Sequence, residues 1–331
     1  LSGRRPFLLS FFSLPSRFIN RLPEKGATFP PGCYLYDQRS YKTLTTNAFQ
    51  AMHYQLLKPA PALKPFVSCY WLLETTAPTE TQRQLIIPDG YSELIFNLGA
   101  PYPWQMQGET RQIPAEGAVL VGERTQTVSV DLPPALRQIG VKLKPAALSL
   151  LTRSPSDQLR NRLFTAKDLN LPALSVLAER LSEITSFPEA GRLLDAYFGQ
   201  VFGSAAPDRL VNGATTLLLA HRGNLRVDTL LRPLGVSYKV LEKRFRTRVG
   251  ISPKEFGRII RFKHTYRALR QHQAADPYFF LDYGYYDQSH FVREFKQFMG
   301  LPPRTFLAAG QATDQILRQG GSAWLTSSRE G

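Results

Sequence analysis

Between residues 52 and 155 the hydrophobic positions come in short dense runs, and beyond residue 169 they recur at spacings of three and four. The runs Pro65–Leu73, Gln84–Ile87, Ser92–Leu98, Ala118–Val121, Thr127–Val130 and Arg137–Leu143 are rich in β-branched and aromatic residues and bounded by Pro, Gly or Asp, which predicts strands. So many short strands in a hundred residues predict a small barrel or sandwich. Further on, Leu171, Leu174, Leu177, Ala178 and Leu181, then Leu193, Leu194, Tyr197, Phe198 and Val201, predict two amphipathic helices within a connector at residues 156–204. Such a pair either closes the β domain or makes a dimer seam, and the sequence leaves both open. Gly203–Pro207 reads as a linker after them.

The last third of the chain repeats itself. Leu241–Phe256 recurs in register at Phe291–Phe306, aligning Phe245 with Phe295, Gly250 with Gly300, Ile251 with Leu301, Pro253 with Pro303 and Phe256 with Phe306. The basic positions Lys243/Arg293 and Arg246/Lys296 keep the same register. Each copy follows a glycine turn, Leu234-Gly235-Val236-Ser237 or Tyr283-Gly284-Tyr285-Tyr286-Asp287, which is the helix-turn-helix pattern. Ser237 and Asp287 are placed to cap the second helix of each unit. With Leu241/Phe245 and Phe291/Phe295 on the buried stripe, the outer faces carry Lys239, Glu242, Lys243 and Arg246, or Gln288, Ser289, Arg293 and Lys296.

Ser252-Pro253-Lys254-Glu255 is a capping box, and the stripe Phe256, Ile259, Ile260, Phe262 and Leu269 that follows predicts one long helix between the units. From Ser252 to about Arg270 it would be about 28 Å long at ~1.5 Å per residue, close to the ~34 Å repeat of B-DNA. The run Gly284-Tyr-Tyr-Asp-Gln-Ser-His-Phe-Val-Arg-Glu-Phe-Lys with Gly300-Leu-Pro-Pro resembles the signature of the arabinose-regulator (AraC/XylS) family of bacterial transcription factors, the likeness extending over residues 208–309. That resemblance implies a DNA-binding domain at 205–310 with two helix-turn-helix units joined by a long helix and entering successive major grooves. Lys239, Glu242, Lys243, Gln288, Ser289 and Arg293 then become base-reading candidates, and Arg246, Lys254, Lys296 and Arg304 phosphate-binding ones. Two features depart from the family pattern. Leu231 and Phe280 stand where a small residue is usual, and Pro233 falls inside the predicted leading helix of the first unit, where a helix interior would pay up to ~3 kcal/mol. The first unit is therefore expected to be the poorer reader. His290, one residue before the buried stripe, is read as structural or phosphate-contacting rather than as a ligand.

Charge agrees when counted by region. Residues 208–310 hold 18 Lys+Arg against 8 Asp+Glu, while residues 52–207 hold 14 against 14. A basic domain beside a neutral one reads as a phosphate-binding module joined to something that does not touch nucleic acid. Cys33 and Cys69 are too few for a disulfide scaffold or a four-thiolate zinc site, and no apolar run approaches the ~18 residues needed to cross a membrane. Arg4-Arg5 before Phe7–Leu14 has the look of an export signal, but the patch is broken by Ser10 and Ser13 and no small-residue cleavage site follows. A cytoplasmic location is expected. Residues 1–51 are expected to be a poorly ordered extension or a start placed upstream of Met52, and residues 311–331 a flexible tail.

Pro88–Leu98 is similar to the sensor half of some regulators of this family, which implies a cupin-like barrel at residues 52–155. A cupin can also be a metalloenzyme, and a cupin-type enzyme with an accessory basic domain is the competing reading. Metal-dependent cupins need two or three histidines and a carboxylate on one ion, and this region has only His53; His221, His264, His272 and His290 lie in the other half. Asp89 and Glu93 are better read as a turn aspartate and a solvent-facing strand glutamate than as a carboxylate pair. Tyr70, Trp71, Tyr91, Tyr102 and Trp104 either line an effector pocket or fill the core. The expectation is thus an α+β protein, a cupin-like β-barrel followed by an all-α double helix-turn-helix domain. It would be a sequence-specific regulator without catalytic, metal or cofactor site. Its partners would be double-stranded DNA, RNA polymerase, a small-molecule effector of unknown site, and a second copy of itself, with no membrane.

Overall fold

The computed structural model describes residues 51–76, 82–106, 108–271 and 278–308. The extension before residue 51 and the tail at 311–331 lie outside them. Strands β1 (Ala51–Leu57), β2 (Val67–Thr76), β3 (Gln82–Ile86), β4 (Ser92–Asn97), β5 (Tyr102–Met106), β6 (Glu109–Ile113), β7 (Gly117–Val121), β8 (Val128–Leu132), β9 (Leu136–Leu143) and β10 (Leu163–Thr165) form two sheets. One has the order β1-β2-β9-β4-β7-β10 and the other β3-β8-β5-β6, giving a cupin-like β domain. Ala51, assigned from sequence to the extension, is the first residue of β1 and pairs with Thr76.

The cleft between the sheets is filled by Trp71, Leu73, Ile95, Tyr102, Trp104, Ile113, Val119 and Val130. On its other face the larger sheet presents Tyr70, Leu72, Leu94, Phe96, Leu120 and Val141 to helices α2 (Pro172–Glu183) and α3 (Phe187–Phe202), which follow the short helix α1 (Ala147–Thr152). A strand covered on both faces needs apolar residues at every position. That is why Cys69–Leu73 and Leu94–Phe96 read as unbroken apolar stretches, and why α2 and α3 close the β domain with Leu174, Leu177, Leu181, Leu194, Phe198 and Phe202.

The remainder is helical: α4 (Arg209–Ala220), α5 (Val227–Leu231) continuing into a 3-10 turn at Arg232–Leu234, α6 (Tyr238–Val249), α7 (Pro253–Gln271), a 3-10 turn at Phe279–Tyr283, α8 (Gln288–Met299) and a last turn at 303–308. Helix α7 is about 28 Å long at ~1.5 Å per residue. It buries Phe256, Ile259, Ile260, Phe262, Tyr266 and Leu269 in one core shared by both units. The sequence repeat has a spatial counterpart. Phe245 meets Phe256 edge-on at 5.9 Å, and Phe295 meets Phe306 at 5.7 Å. Gly250 and Gly300 end their helices in the left-handed region, at φ 96° and 81°.

The two halves share a seam. Gly90 lies so close to α7 that an added Cβ would stand 2.9 Å from both Phe256 and Ile260, and its φ of +85° disfavours a side chain in any case. The Ser156 hydroxyl donates to the Arg248 carbonyl at 2.9 Å, and the Thr127 N–H donates to the Phe298 carbonyl at 2.9 Å.

Candidate nucleic-acid interface

Helices α6 and α8 carry the exposed polar faces. In α6, Leu241, Phe245 and Val249 point inward, which leaves Lys239, Lys243 and Arg246 in solvent and Glu242 half-buried. In α8, Phe291, Phe295, Phe298 and Met299 point inward and Gln288, Ser289, Arg293 and Lys296 are exposed, bordering with Val292 a shallow concavity of about 320 Å³. Lys254 at the start of α7 and Arg304 in the last turn are exposed as well. The turn before each reading helix holds a glycine in the left-handed region, Gly235 at φ 64° and Gly284 at φ 78°, where an L side chain is strained.

Three local expectations need correction. Ser237 adopts the extended backbone of a cap, but its hydroxyl makes no capping bond, whereas the Asp287 carboxylate accepts from the His290 N–H at 2.7 Å. Pro233 does not interrupt a helix: α5 ends at Leu231, and the proline sits at the start of the 3-10 turn, where no helical N–H is required of it. The expected penalty is absent. In the second unit the leading element over residues 279–283 is a 3-10 turn, and the bulky Phe280 is accommodated by lying flat on Phe291, ring centroids 5.3 Å apart and planes within 4°.

Electrostatics separates the two helices. Glu242 accepts from Arg246 at 2.8 Å, so a residue expected on bases holds one expected on phosphate. Glu294 instead lies on the buried stripe of α8, bound by Arg258 at 2.8 Å and Arg261 at 2.7 Å, both from α7. Burial alone would push its carboxyl up; the hydrogen bonds and charges of Arg258 and Arg261 outweigh that and hold it below the usual glutamate value. Sequence reading missed this brace, although the spacing of Phe291, Glu294, Phe295 and Phe298 placed the glutamate on the apolar stripe. It also missed Val240, 52% exposed between Lys239 and Lys243, and Tyr286, 86% exposed ahead of α8. His290 takes a structural place, its Nδ1 accepting from the Tyr286 N–H at 3.3 Å.

Both reading helices meet the β half at their C-terminal ends. Arg248 near the end of α6 reaches the Ser149 hydroxyl at 3.4 Å, and the Thr127 hydroxyl donates to the Met299 sulfur at 3.2 Å at the end of α8. The N-terminal ends, with Lys239, Gln288 and Ser289, remain exposed, and it is the N-terminal part of a recognition helix that contacts bases.

Asp89 and Glu93, expected at the surface, are buried beneath this seam. Arg124 donates to Glu93 at 2.8 Å and faces Asp89 at 3.6 Å, while the Lys142 ammonium donates to Asp89. Burial alone would raise Asp89, but Lys142, Arg124 and, from α7, Lys263 hold it below the usual aspartate value. Beside them Glu123 is 1% exposed, and neither of its carboxylate oxygens has a hydrogen-bond partner. Burial and the neighbouring Asp89 push its carboxyl well above the ordinary range. A turn ordinarily faces water, and here α7 covers the one that carries Asp89. Of the aromatic candidates for an effector pocket, Tyr70, Trp71, Tyr102 and Trp104 are core side chains, and Tyr91 lies between Lys142 and Lys263, with ring distances of 5.2 and 5.8 Å. On α7, His264 is pushed down to about 4 by burial and by Lys263, Arg267 and Arg222, so it is neutral at pH 7. Among the described residues, no group of three or more His, Cys, Asp and Glu is arranged to hold a metal ion.

Residues 230–309 match the family described as a helix-turn-helix domain. The chain carries a helix-turn-helix domain of the arabinose-regulator type. It is thereby a DNA-binding regulator in its reading half. Residues 55–165 match a family described as a domain of unknown function (DUF6597). No curated protein matches the chain significantly. Among solved structures it is similar to ToxT from Vibrio cholerae O395, with 13% identity over 69% of this chain and 94% of that one and a TM-score of 0.39. Wild-type ToxT from strain SCE256 with a bound unsaturated fatty acid gives 14%, 80%, 96% and 0.41. A Cupin 2 conserved barrel domain protein from Salinispora arenicola CNS-205 gives 15%, 30%, 81% and 0.24. At such scores the overlap is partial, and the domain assignment rests on the family match and the geometry. Among the described residues no helix is long and apolar enough to cross a membrane.

Proposed function

We propose that this chain is a cytoplasmic, sequence-specific transcription regulator that places α6 and α8 in two successive major grooves on one side of a DNA duplex. The observation that carries this reading is the arrangement around α7: one rigid helix of about 28 Å joins two units whose reading helices are both blocked at their C-terminal ends and exposed at their N-terminal ends. In this reading Lys239, Glu242, Lys243, Gln288, Ser289 and Arg293 face base edges. Arg293 suits guanine O6 and N7, and Gln288 suits adenine N6 and N7. Arg246, Lys254, Lys296 and Arg304 face phosphates. The excess of 18 basic over 8 acidic residues between 208 and 310 supplies the counter-charge.

The reading includes no catalytic activity. The interior in which a cupin enzyme would hold its ion is packed with Trp71, Tyr102 and Trp104, which favours regulation over the enzyme alternative. RNA polymerase and a second copy of the chain are the macromolecular partners this function calls for. The test is to select bound sequences from a random DNA pool with the full chain and footprint the winners. Two protected major-groove segments about one turn, roughly 10–10.5 base pairs, apart on one face are expected. A single protected segment, or two on opposite faces, overturns the two-groove reading.

A further inference from the structure

Five side chains, Gln288, Ser289, Val292, Arg293 and Lys296, border the shallow concavity of about 320 Å³ on the outer face of α8. Helical spacing fixes their arrangement. Gln288 and Ser289 lie four and three positions before Val292, and Lys296 four after it, and residues at those offsets are neighbours on a helix surface. Val292 is therefore the middle of the stripe. It is half-buried, packing against the core of the reading domain while still bordering the concavity. Each of the four residues around it can donate a hydrogen bond, whereas Val292 can neither donate nor accept one. Because valine is β-branched, its χ1 is largely fixed in a helix, so its methyl groups hold one direction. Single apolar residues are common on protein surfaces and need no partner. This one is set apart by its place at the centre of a stripe otherwise made of hydrogen-bonding side chains, on a helix whose N-terminal part is exposed.

We propose that Val292 reads a thymine, its methyl groups lying against the C5-methyl group of that base, and that this contact gives α8 a base preference that α6 lacks. The inference rests on the two-groove reading proposed above. Among the four bases only thymine presents a methyl group in the major groove, and apolar contact is how a side chain without donors or acceptors distinguishes it. Cytosine in the same place would turn its N4 amino group toward methyl groups that accept nothing, and a donor left unpaired in a contact costs affinity. The sequence repeat supplies the contrast. At the equivalent place in α6 stands Glu242, whose carboxylate accepts from Arg246 and offers no apolar surface to a base. The two units therefore present opposite chemistry at one position of a common scaffold, and the two halves of the bound site differ in sequence for that reason.

The test uses the full chain and the DNA selected from the random pool. Each thymine in the two protected segments is replaced in turn by deoxyuridine, which lacks only the C5-methyl group, and affinity is measured for the wild type and for Val292→Ala. In the wild type, replacement of one thymine is expected to weaken binding about fourfold, as loss of one buried methyl-sized group does. In Val292→Ala the penalty for that same replacement is expected to fall below about twofold, because the two methyl groups that made the contact are gone. Each penalty is a ratio measured with one protein preparation, so any loss of folded protein in the variant cancels. If no thymine carries a penalty, or if the penalty is the same size in both proteins, the contact is overturned while a two-segment footprint still stands. Failure to select any DNA would instead overturn the regulator reading, and this inference with it.

Discussion

Each reading helix contains one glutamate, and the two are used in opposite ways. In α6 Glu242 lies on the outer face and occupies Arg246; in α8 Glu294 is turned into the core, where Arg258 and Arg261 hold it. The repeat aligns Glu242 with Val292 and Glu294 with Arg244, so the acids sit at different positions of one scaffold. The exposed face of α8 consequently has no carboxylate, and Arg293 and Lys296 have no ion pair among the described residues. Moving one acid by two positions thus converts a partly self-neutralised surface into an open cationic one. It also fastens α8 to α7. The first unit was expected to be the poorer reader because of Leu231 and Pro233, but the structure removes the proline argument. The electrostatic difference supplies a better one.

The largest test of this comparison is Glu294→Ala, which strands two arginines against the core. A loss of about 3 kcal/mol in denaturant unfolding is expected, the low end for breaking a buried pair because Arg258 keeps some access to water. Glu242→Ala, which breaks an exposed pair, should cost no more than ~0.5 kcal/mol. Comparable losses from the two variants would end the claim that only one acid is structural. The pH dependence follows from the sign of the shift. Because the folded-state value of Glu294 lies below its ordinary 4.5, its stabilisation is present above that value and is lost as the pH falls through the lower folded one. The stability gap between the wild type and Glu294→Gln should therefore narrow on acidification below about pH 4.5; a constant gap would show that the carboxylate charge is not what matters.

Next in size is Arg293→Ala, expected to cost about 1–3 kcal/mol of operator affinity and to relax specificity at one base pair. Lys243→Ala at the equivalent place in α6 should relax specificity less, as scored by repeating the selection with each variant. A uniform loss over all sequences for Arg293→Ala would make that residue a phosphate contact. The smallest effect is a gain. Glu242→Gln frees Arg246 for phosphate and should strengthen DNA binding by under ~1 kcal/mol while steepening the salt slope by at most about 0.9. Weaker or unchanged binding at low salt would show that Glu242 reads a base instead of occupying its neighbour.

Much of the fold was legible because its pattern is local. The dense apolar runs became strands, those of the larger sheet covered on both faces, and Gly235 and Gly284 marked the turns. The strands missed were β1, β5, β6 and β10. Of these, β5 contains Pro103 and β6 is a polar edge in which Glu109, Thr110, Arg111 and Gln112 are exposed, so neither has the apolar density that announces a strand, and β10 is only three residues long. The reading faces were legible from helical spacing. The Glu294 brace was half legible: spacing put the acid on the inner stripe, but its partners lie 33 and 36 positions away.

The sequence by itself determined a β domain, a helical reading domain built from a repeat, and the separation of neutral from basic halves, because periodicity and charge are properties of neighbouring residues. Only the tertiary structure decided where the halves meet. It buried Asp89, Glu93 and Glu123, used the aromatic residues of the barrel for packing, and set the β domain against the C-terminal ends of both reading helices. These outcomes depend on which surface another part of the chain removes from water. Burial of that kind joins residues far apart in sequence, and no local pattern records it.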